Sequence, residues 1–287
     1  MTWEDTIKMI RKDPFYEDLV RNAYFEEDLS LNLQRYKQDL EYSEIKAWLN
    51  ELGFNQGKIL DIGSGNGISA VSFALDGFQV DAVEPDPSDT IGAGAIRWLK
   101  NHYGLGNLSV HESFAEDIGF PSGTFDLVFV RQALHHANEL QKFVEESYRV
   151  LKQGGYMITV RDHVVFDKKD KEWFLESHPL HKFYGGENAY HPKEYEEAFQ
   201  KAGFSMKKRY KYFDTPVNYF PAKKEQVDPQ VKLGKLKDTF RTKYSIISRF
   251  PLAFEVYISY LKFRGVSFEN NEMKIPGRMY SYILKKD

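Results

Sequence analysis

Apolar residues recur at three- and four-residue spacing through positions 3–52, at Ile7, Ile10, Leu19, Val20, Ile45, Trp48, Leu49 and Leu52. That period predicts helices, with Gly53 as the C-terminal stop. From Lys58 onward short apolar runs alternate with longer amphipathic ones. The runs predict strands at Ile59–Ile62, Gln79–Val83, Leu108–His111, Phe125–Val130, Tyr156–Val160, Phe204–Phe213 and Met279–Leu284. Between them helices are expected at Ile68–Asp76, Ser88–Tyr103, Leu140–Leu151 and 192–202, stopped by Gly77, Gly104, the Gly154-Gly155 pair and Gly203. Pro192 suits a first helical position. Such alternation predicts a mostly parallel sheet with helices on both faces and ligands at the carboxyl ends of the strands.

The first strand runs into Asp61-Ile62-Gly63-Ser64-Gly65-Asn66-Gly67, and the second ends in Val83-Glu84-Pro85-Asp86. Glycines at alternate positions let the backbone turn sharply and present its N–H groups to a ligand, with a helix N-terminus aimed at the same place. Glu84 is placed to accept hydrogen bonds from both hydroxyls of a ribose. A dinucleotide fingerprint would need glycine at position 68, which is Ile68, and no Gly-Lys-Ser/Thr follows for a phosphate loop. The remaining pattern, Gly-x-Gly-x-Gly after an Asp-bearing strand with an acid at the end of the next, resembles the class I S-adenosylmethionine-dependent methyltransferases.

The resemblance covers about residues 40–213 and returns at 278–286. It implies a Rossmann-like, doubly wound sheet of seven strands, mostly parallel, with the last strand antiparallel and inserted beside the fifth. The domain organisation expected is a helical cap at 1–52, a cofactor-binding core at 53–213, an inserted basic and aromatic substrate or lid region at 214–277, and the last core strand at 278–287. The cofactor implied is S-adenosyl-L-methionine, held by Asp61, Gly63, Ser64, Gly65, Gly67, Glu84 and Pro85. In Phe114-Ala115-Glu116-Asp117 the acid expected before Ala115 is replaced by Phe114, leaving Ala115 with Glu116 or Asp117 as adenine partners. Arg131 and Gln132, at the carboxyl end of the fourth strand, face the transferred methyl by position.

Methyl transfer to a hydroxyl calls for a positioned base. His136, in the pair His135-His136, and His181 and Tyr184, in the long 161–191 connection with its Gly185-Gly186 hinge, are the candidate catalytic residues. His135 reads better as a structural histidine bonded to nearby backbone. An O-methyl, small-molecule acceptor is the preferred expectation. A non-catalytic cofactor-binding module, or an enzyme acting on RNA or on a lipid-linked acceptor, are the alternatives. An aminopropyl transfer would want acids after the fourth strand, and Arg131–His136 has none.

Composition narrows this further. The 287 residues include no Cys, which excludes thiolate catalysis, disulfides and Cys-ligated metals. His178, His181 and His191 lack an accompanying acid constellation, so no metal is expected. No basic stretch followed by an apolar one opens the chain, so a cytoplasmic location is expected. Residues 201–287 hold 19 Lys/Arg against 8 Asp/Glu, whereas 1–200 hold 20 against 34. A basic appendage favours an anionic acceptor or surface. Residues 246–263 are aromatic and apolar but broken by Arg249, Pro251, Glu255 and Lys262, so they read as a packed appendage, with peripheral membrane contact as the alternative, and not as a span. Nucleic acid is disfavoured, because neither an Asn/Asp-Pro-Pro-Tyr/Phe signature nor an RNA-binding motif is present.

Overall fold

The computed structural model describes residues 2–266 and 268–287, with Tyr184 described in its backbone alone. Four helices open the chain: α1 (Trp3–Ile10), α2 (Glu17–Asn22), α3 (Leu29–Gln38) and α4 (Leu40–Glu51). The core follows as β1 (Lys58–Ile62), α5 (Ile68–Leu75), β2 (Gln79–Val83), α6 (Ala93–Tyr103), β3 (Leu108–His111), β4 (Phe125–Arg131), α7 (Leu140–Val150) and β5 (Leu151–His163). Two helices, α8 (Lys168–Ser177) and α9 (His181–Tyr184), lead to α10 (Pro192–Ala202) and β6 (Ser205–Tyr210). The insertion carries α11 (Pro216–Tyr219), α12 (Lys224–Val227), α13 (Pro229–Lys243) and α14 (Ala253–Phe263) before β7 (Met279–Lys285) closes the sheet.

The strand order is β3-β2-β1-β4-β5-β7-β6. The first five strands pair in parallel, while β7 runs antiparallel between β5 and β6, as the resemblance implies. Both faces are buried. Ile59, Leu127, Phe129 and Ile158 pack with α4, α5 and α6 on one side, and Leu60, Val128, Val130 and Met157 pack with α7 and α10 on the other. Strands buried on both faces read as continuous apolar runs, which is why β1 and β4 stand out in the sequence.

The largest departures from expectation are at two boundaries, while β6 ends at Tyr210 rather than Phe213. Helix α6 begins at Ala93 rather than Ser88, because residues 86–92 fold back on themselves: Ala93 N–H donates to Asp86 O at 2.7 Å, and a Cβ on Gly92 would stand 2.2 Å from that same oxygen. Strand β5 begins at Leu151, and Gly154 (φ +79°) sits inside it with a register shift against β4 at Phe125/Leu127. The glycine pair is therefore a bulge within a strand instead of a turn before one.

Candidate active site

The turn after β1 is built by its glycines. Gly63, Gly65 and Gly67 all have positive φ, at +68°, +54° and +83°. A Cβ on Gly63 would come 2.4 Å from Ala133 Cβ, and one on Gly67 would come 2.8 Å from Ile96 Cγ1. Side chains are thus excluded by conformation and by space. Asp61 is fully buried, and its Oδ2 accepts from Ser69 Oγ at 2.6 Å, tying the end of β1 to the first turn of α5. Burial raises its carboxyl to about 6. It does not line the cavity, so its place in the structure is that of a brace for the turn.

Glu84 stands opposite. Its Oε2 accepts from Gly65 N–H at 2.7 Å and its Oε1 from Asp86 N–H at 2.9 Å. Burial raises its carboxyl to about 7 against the pull of those two donors. Both Glu84 and Gly65 border a cavity of about 590 Å³, together with Gly63, Ser64, Pro85, Ala115 and Glu116. Glu116 Oε1 accepts from Asn138 N–H at 2.9 Å, joining the loop after β3 to the loop after β4. Asp117, the other adenine candidate, is exposed and is not part of the wall. Ser113, which sequence reading passed over, lines the cavity with a buried Oγ that has no protein partner. An acid held by the Gly65 and Asp86 N–H groups, an unpartnered hydroxyl and a volume in the usual range for a small-molecule site fit an adenosyl cofactor.

At the far end of β4, Arg131 lines the cavity, but its charge is already engaged. Nε and Nη2 donate to Glu41 at 2.6 and 3.1 Å, and the guanidinium lies over the Tyr24 and Tyr36 rings. Arg131 therefore ties α4 to the cavity wall and does not present an unpaired charge to a ligand. Gln132 follows with φ +50° and its backbone N–H bonded to Val160 O.

The histidines converge where the sequence does not show it. His135 is buried, with both its backbone N–H and its Nδ1 on Asp162 Oδ1, at 3.2 and 3.0 Å. Burial pushes His135 well below the ordinary imidazole value and Asp162 up to about 7. His163 Nδ1 lies 2.7 Å from Gly277 O, and burial lowers this ring to about 4. His136, exposed at the rim, bonds Gly186 O through Nδ1 at 3.2 Å. Glu187 reaches in from the loop after α9, with its carboxylate 3.8 Å from His135 Nε2, 3.9 Å from His136 Nε2 and 3.7 Å from His178 Nε2.

Against expectation His181 does not line the cavity; His178, three residues earlier, does. The side chain of Tyr184 lies outside the described residues. Beside the His135-His136 pair, atoms of His135, His163 and Glu187 lie within 4.8 Å of one another.

Trp3, Leu19, Ala23 and Phe25 of the N-terminal cap, with Ile91 and Leu180, add apolar surface to the cavity wall beside Ile62, Ile68, Val83 and Phe143 of the core. Asn66 Nδ2 donates to Tyr24 O at 2.8 Å, fastening this cap to the glycine turn. Among the described residues none of 214–277 lines the cavity. The first helix of this insertion packs on α4, β5 and β7 instead.

The methyltransferase domain family matches residues 60–159. The uncharacterized methyltransferase YcgJ of Bacillus subtilis is 32% identical over 113 residues, covering 37% of this chain and 40% of that one. A ubiquinone/menaquinone biosynthesis C-methyltransferase of Marinomonas is 28% identical over 126 residues, covering 44% and 49%. The chain thus spans less than half the length of these relatives. Among solved structures, a sarcosine dimethylglycine methyltransferase of Galdieria sulphuraria, so described without proof of activity, superposes with a TM-score of 0.60 at 16% identity, covering 99% of this chain and 98% of that one. The chain contains a methyltransferase domain on a class I fold.

Proposed function

We propose that this methyltransferase-domain protein uses S-adenosylmethionine to methylate a small molecule, with an oxygen atom as the acceptor. The observation that carries this reading is the continuous cavity that joins the Gly65–Glu84 end to the histidine end. S-adenosylmethionine supplies a methyl group already activated by a sulfonium charge. The chain then has to hold the acceptor in line, keep water out and take up a proton. The apolar cap residues exclude water. His136 Nδ1 faces the Gly186 carbonyl, which can only accept, so that nitrogen carries the hydrogen and Nε2 has the lone pair. That Nε2 is the group placed to take the proton from an acceptor hydroxyl.

Isothermal titration of the full chain with S-adenosylmethionine and its demethylated product, followed by methyl-labelling of hydroxylated acceptors, tests the proposal. Absence of saturable binding of both would overturn it. His136→Ala is expected to slow turnover by about 10²- to 10⁴-fold while product-cofactor affinity is kept. His181→Ala, off the cavity wall, should leave both in place.

A lipid-linked or membrane-associated acceptor is favoured over RNA by the insertion's surface. Around α14, Ile246, Phe250, Leu252, Val256, Tyr260 and Phe263 are all exposed, and Lys243, Arg249, Lys262 and Arg264 lie within the same stretch of sequence. Exposed apolar side chains with cations beside them in sequence suit an anionic bilayer surface. No helix among the described residues is long and apolar enough to cross a membrane. Sedimentation with vesicles should therefore show binding to anionic but not neutral lipid, weakened by salt and by joint Phe250→Ser and Phe263→Ser substitution; equal partition onto both vesicle types would reject this surface.

A further inference from the structure

We infer that His135, His163 and Glu187 form a binding site for one first-row divalent cation of the zinc type in the cavity wall, with His178 within reach as a fourth ligand. The hydrogen bonds of the two inner rings set their tautomers. Gly277 O can only accept, so His163 carries its hydrogen on Nδ1 and keeps the lone pair on Nε2. Asp162 Oδ1 already accepts the backbone N–H of His135, which makes it an acceptor for Nδ1–H of the same residue as well. Both imidazoles thus have Nε2 available as a ligand atom, each oriented by a carboxylate or carbonyl behind it, the arrangement that supports metal-bound histidine.

The distances agree. Glu187 stands 3.8 Å from His135 Nε2 and 3.7 Å from His178 Nε2, and the ligand atoms of His135, His163 and Glu187 all lie within 4.8 Å of one another. Two ligands each about 2.0–2.1 Å from a tetrahedral zinc are about 3.3 Å apart, so the cluster has to contract by about 1.5 Å at most to close on an ion. The side chains of His135 and Glu187 are almost wholly shielded from solvent, so water competes little for their ligand atoms. Two imidazoles and one carboxylate suit zinc and its neighbours, whereas magnesium and calcium would call for an all-oxygen set. His178 Nδ1 is buried without a partner and its Nε2 faces Glu187 Oε1, so this ring can turn toward the same centre. The ligands border the same cavity as the glycine turn, and a cation there would meet an acceptor oxygen; that role, unlike the binding itself, rests on the proposed methyl transfer.

The test uses the full chain after chelator treatment, titrated with Co²⁺ by its visible d–d absorption and then displaced by Zn²⁺. One equivalent of tetrahedral-type Co²⁺ signal is expected. Glu187→Gln and His163→Gln should each weaken it by at least about 100-fold, since even partners behind the ligands are worth about 10–100-fold. Should His163→Gln fail to fold, the loop substitution Glu187→Gln carries the comparison. No saturable signal in the unsubstituted chain, or a signal that survives Glu187→Gln unchanged, overturns the inference. Titration of the same samples with the demethylated product cofactor keeps the two proposals apart: cofactor binding without a Co²⁺ signal removes only the metal site.

Discussion

Replacing Glu41 with Ala is expected to destabilise the fold by about 3–5 kcal/mol, the usual cost of removing one partner of a buried ion pair. Glu41 is fully buried between two guanidiniums. Arg131 donates to it in bidentate fashion, and Arg161 Nη1 stands 3.7 Å away while donating to Val217 O and, more weakly, to Phe220 O. Burial by itself would raise the Glu41 carboxyl, but the attraction of Arg131 and then Arg161 outweighs it and holds the group below its ordinary value. Without Glu41, two buried cations would face one another with no anion between them. Urea unfolding near neutral pH, followed by circular dichroism, measures the loss; a change under about 1 kcal/mol would mean that water reaches the guanidiniums and the pair is not a buried one. Because the folded-state value is depressed, this stabilisation is present above the ordinary carboxyl range near 4.5 and is lost as the pH falls through the lower folded value. The substituted chain should therefore show a shallower acid transition than the parent. Where the Ala variant does not fold, Glu41→Gln keeps the shape and removes only the charge.

That network also shows why the site was only half legible in the sequence. The glycine turn, Glu84 and the strand order depend on local signals, namely φ > 0, apolar runs and helix stops, and all occur within a few residues of each other. They are where expectation and structure agree. Arg131 was visible as a residue at the end of β4, yet its partner Glu41 lies 90 positions earlier on a helix that reads only as amphipathic. The same holds for the histidine cluster, whose members come from the loop after β4, the end of β5 and the loop after α9. His135 was expected to bond nearby backbone, but its partner is the Asp162 side chain, 27 positions on and brought alongside by the β4–β5 pairing. His163 gave no signal, because a histidine ending an apolar strand looks like any strand terminus. The N-terminal cap gave no such signal: it contributes Trp3, Leu19, Ala23 and Phe25 to the cavity wall, and its helical period cannot reveal which face meets a ligand.

Substituting Glu84 is expected to have the largest effect on cofactor binding. An ionised carboxylate that accepts from two ribose hydroxyls gains about 1.5–3 kcal/mol per bond, so Glu84→Ala should weaken the demethylated product cofactor by about 100-fold or more. The Ala change also releases the Gly65 and Asp86 N–H groups that the carboxylate now holds. Glu84→Gln is the sharper probe, since it keeps the size and one acceptor oxygen while removing the charge. The distinguishing readout is pH. Burial raises the Glu84 carboxyl from 4.5 to about 7, so ionisation is disfavoured in the free chain: its burial cost is absent below 4.5 and fully felt above 7. Hydroxyl donors favour the ionised form, so binding should release a proton and affinity should rise as the pH moves from about 6 to about 8. In Glu84→Gln that rise should vanish while the overall affinity stays low. Calorimetric titration across this window checks both points, and equal affinities for parent and Gln variant at pH 8 would show that Glu84 only braces the turn. A pH dependence that persists in the variant would instead transfer the titration to another group at the site, and Asp162, also raised by burial to about 7, would be next in line.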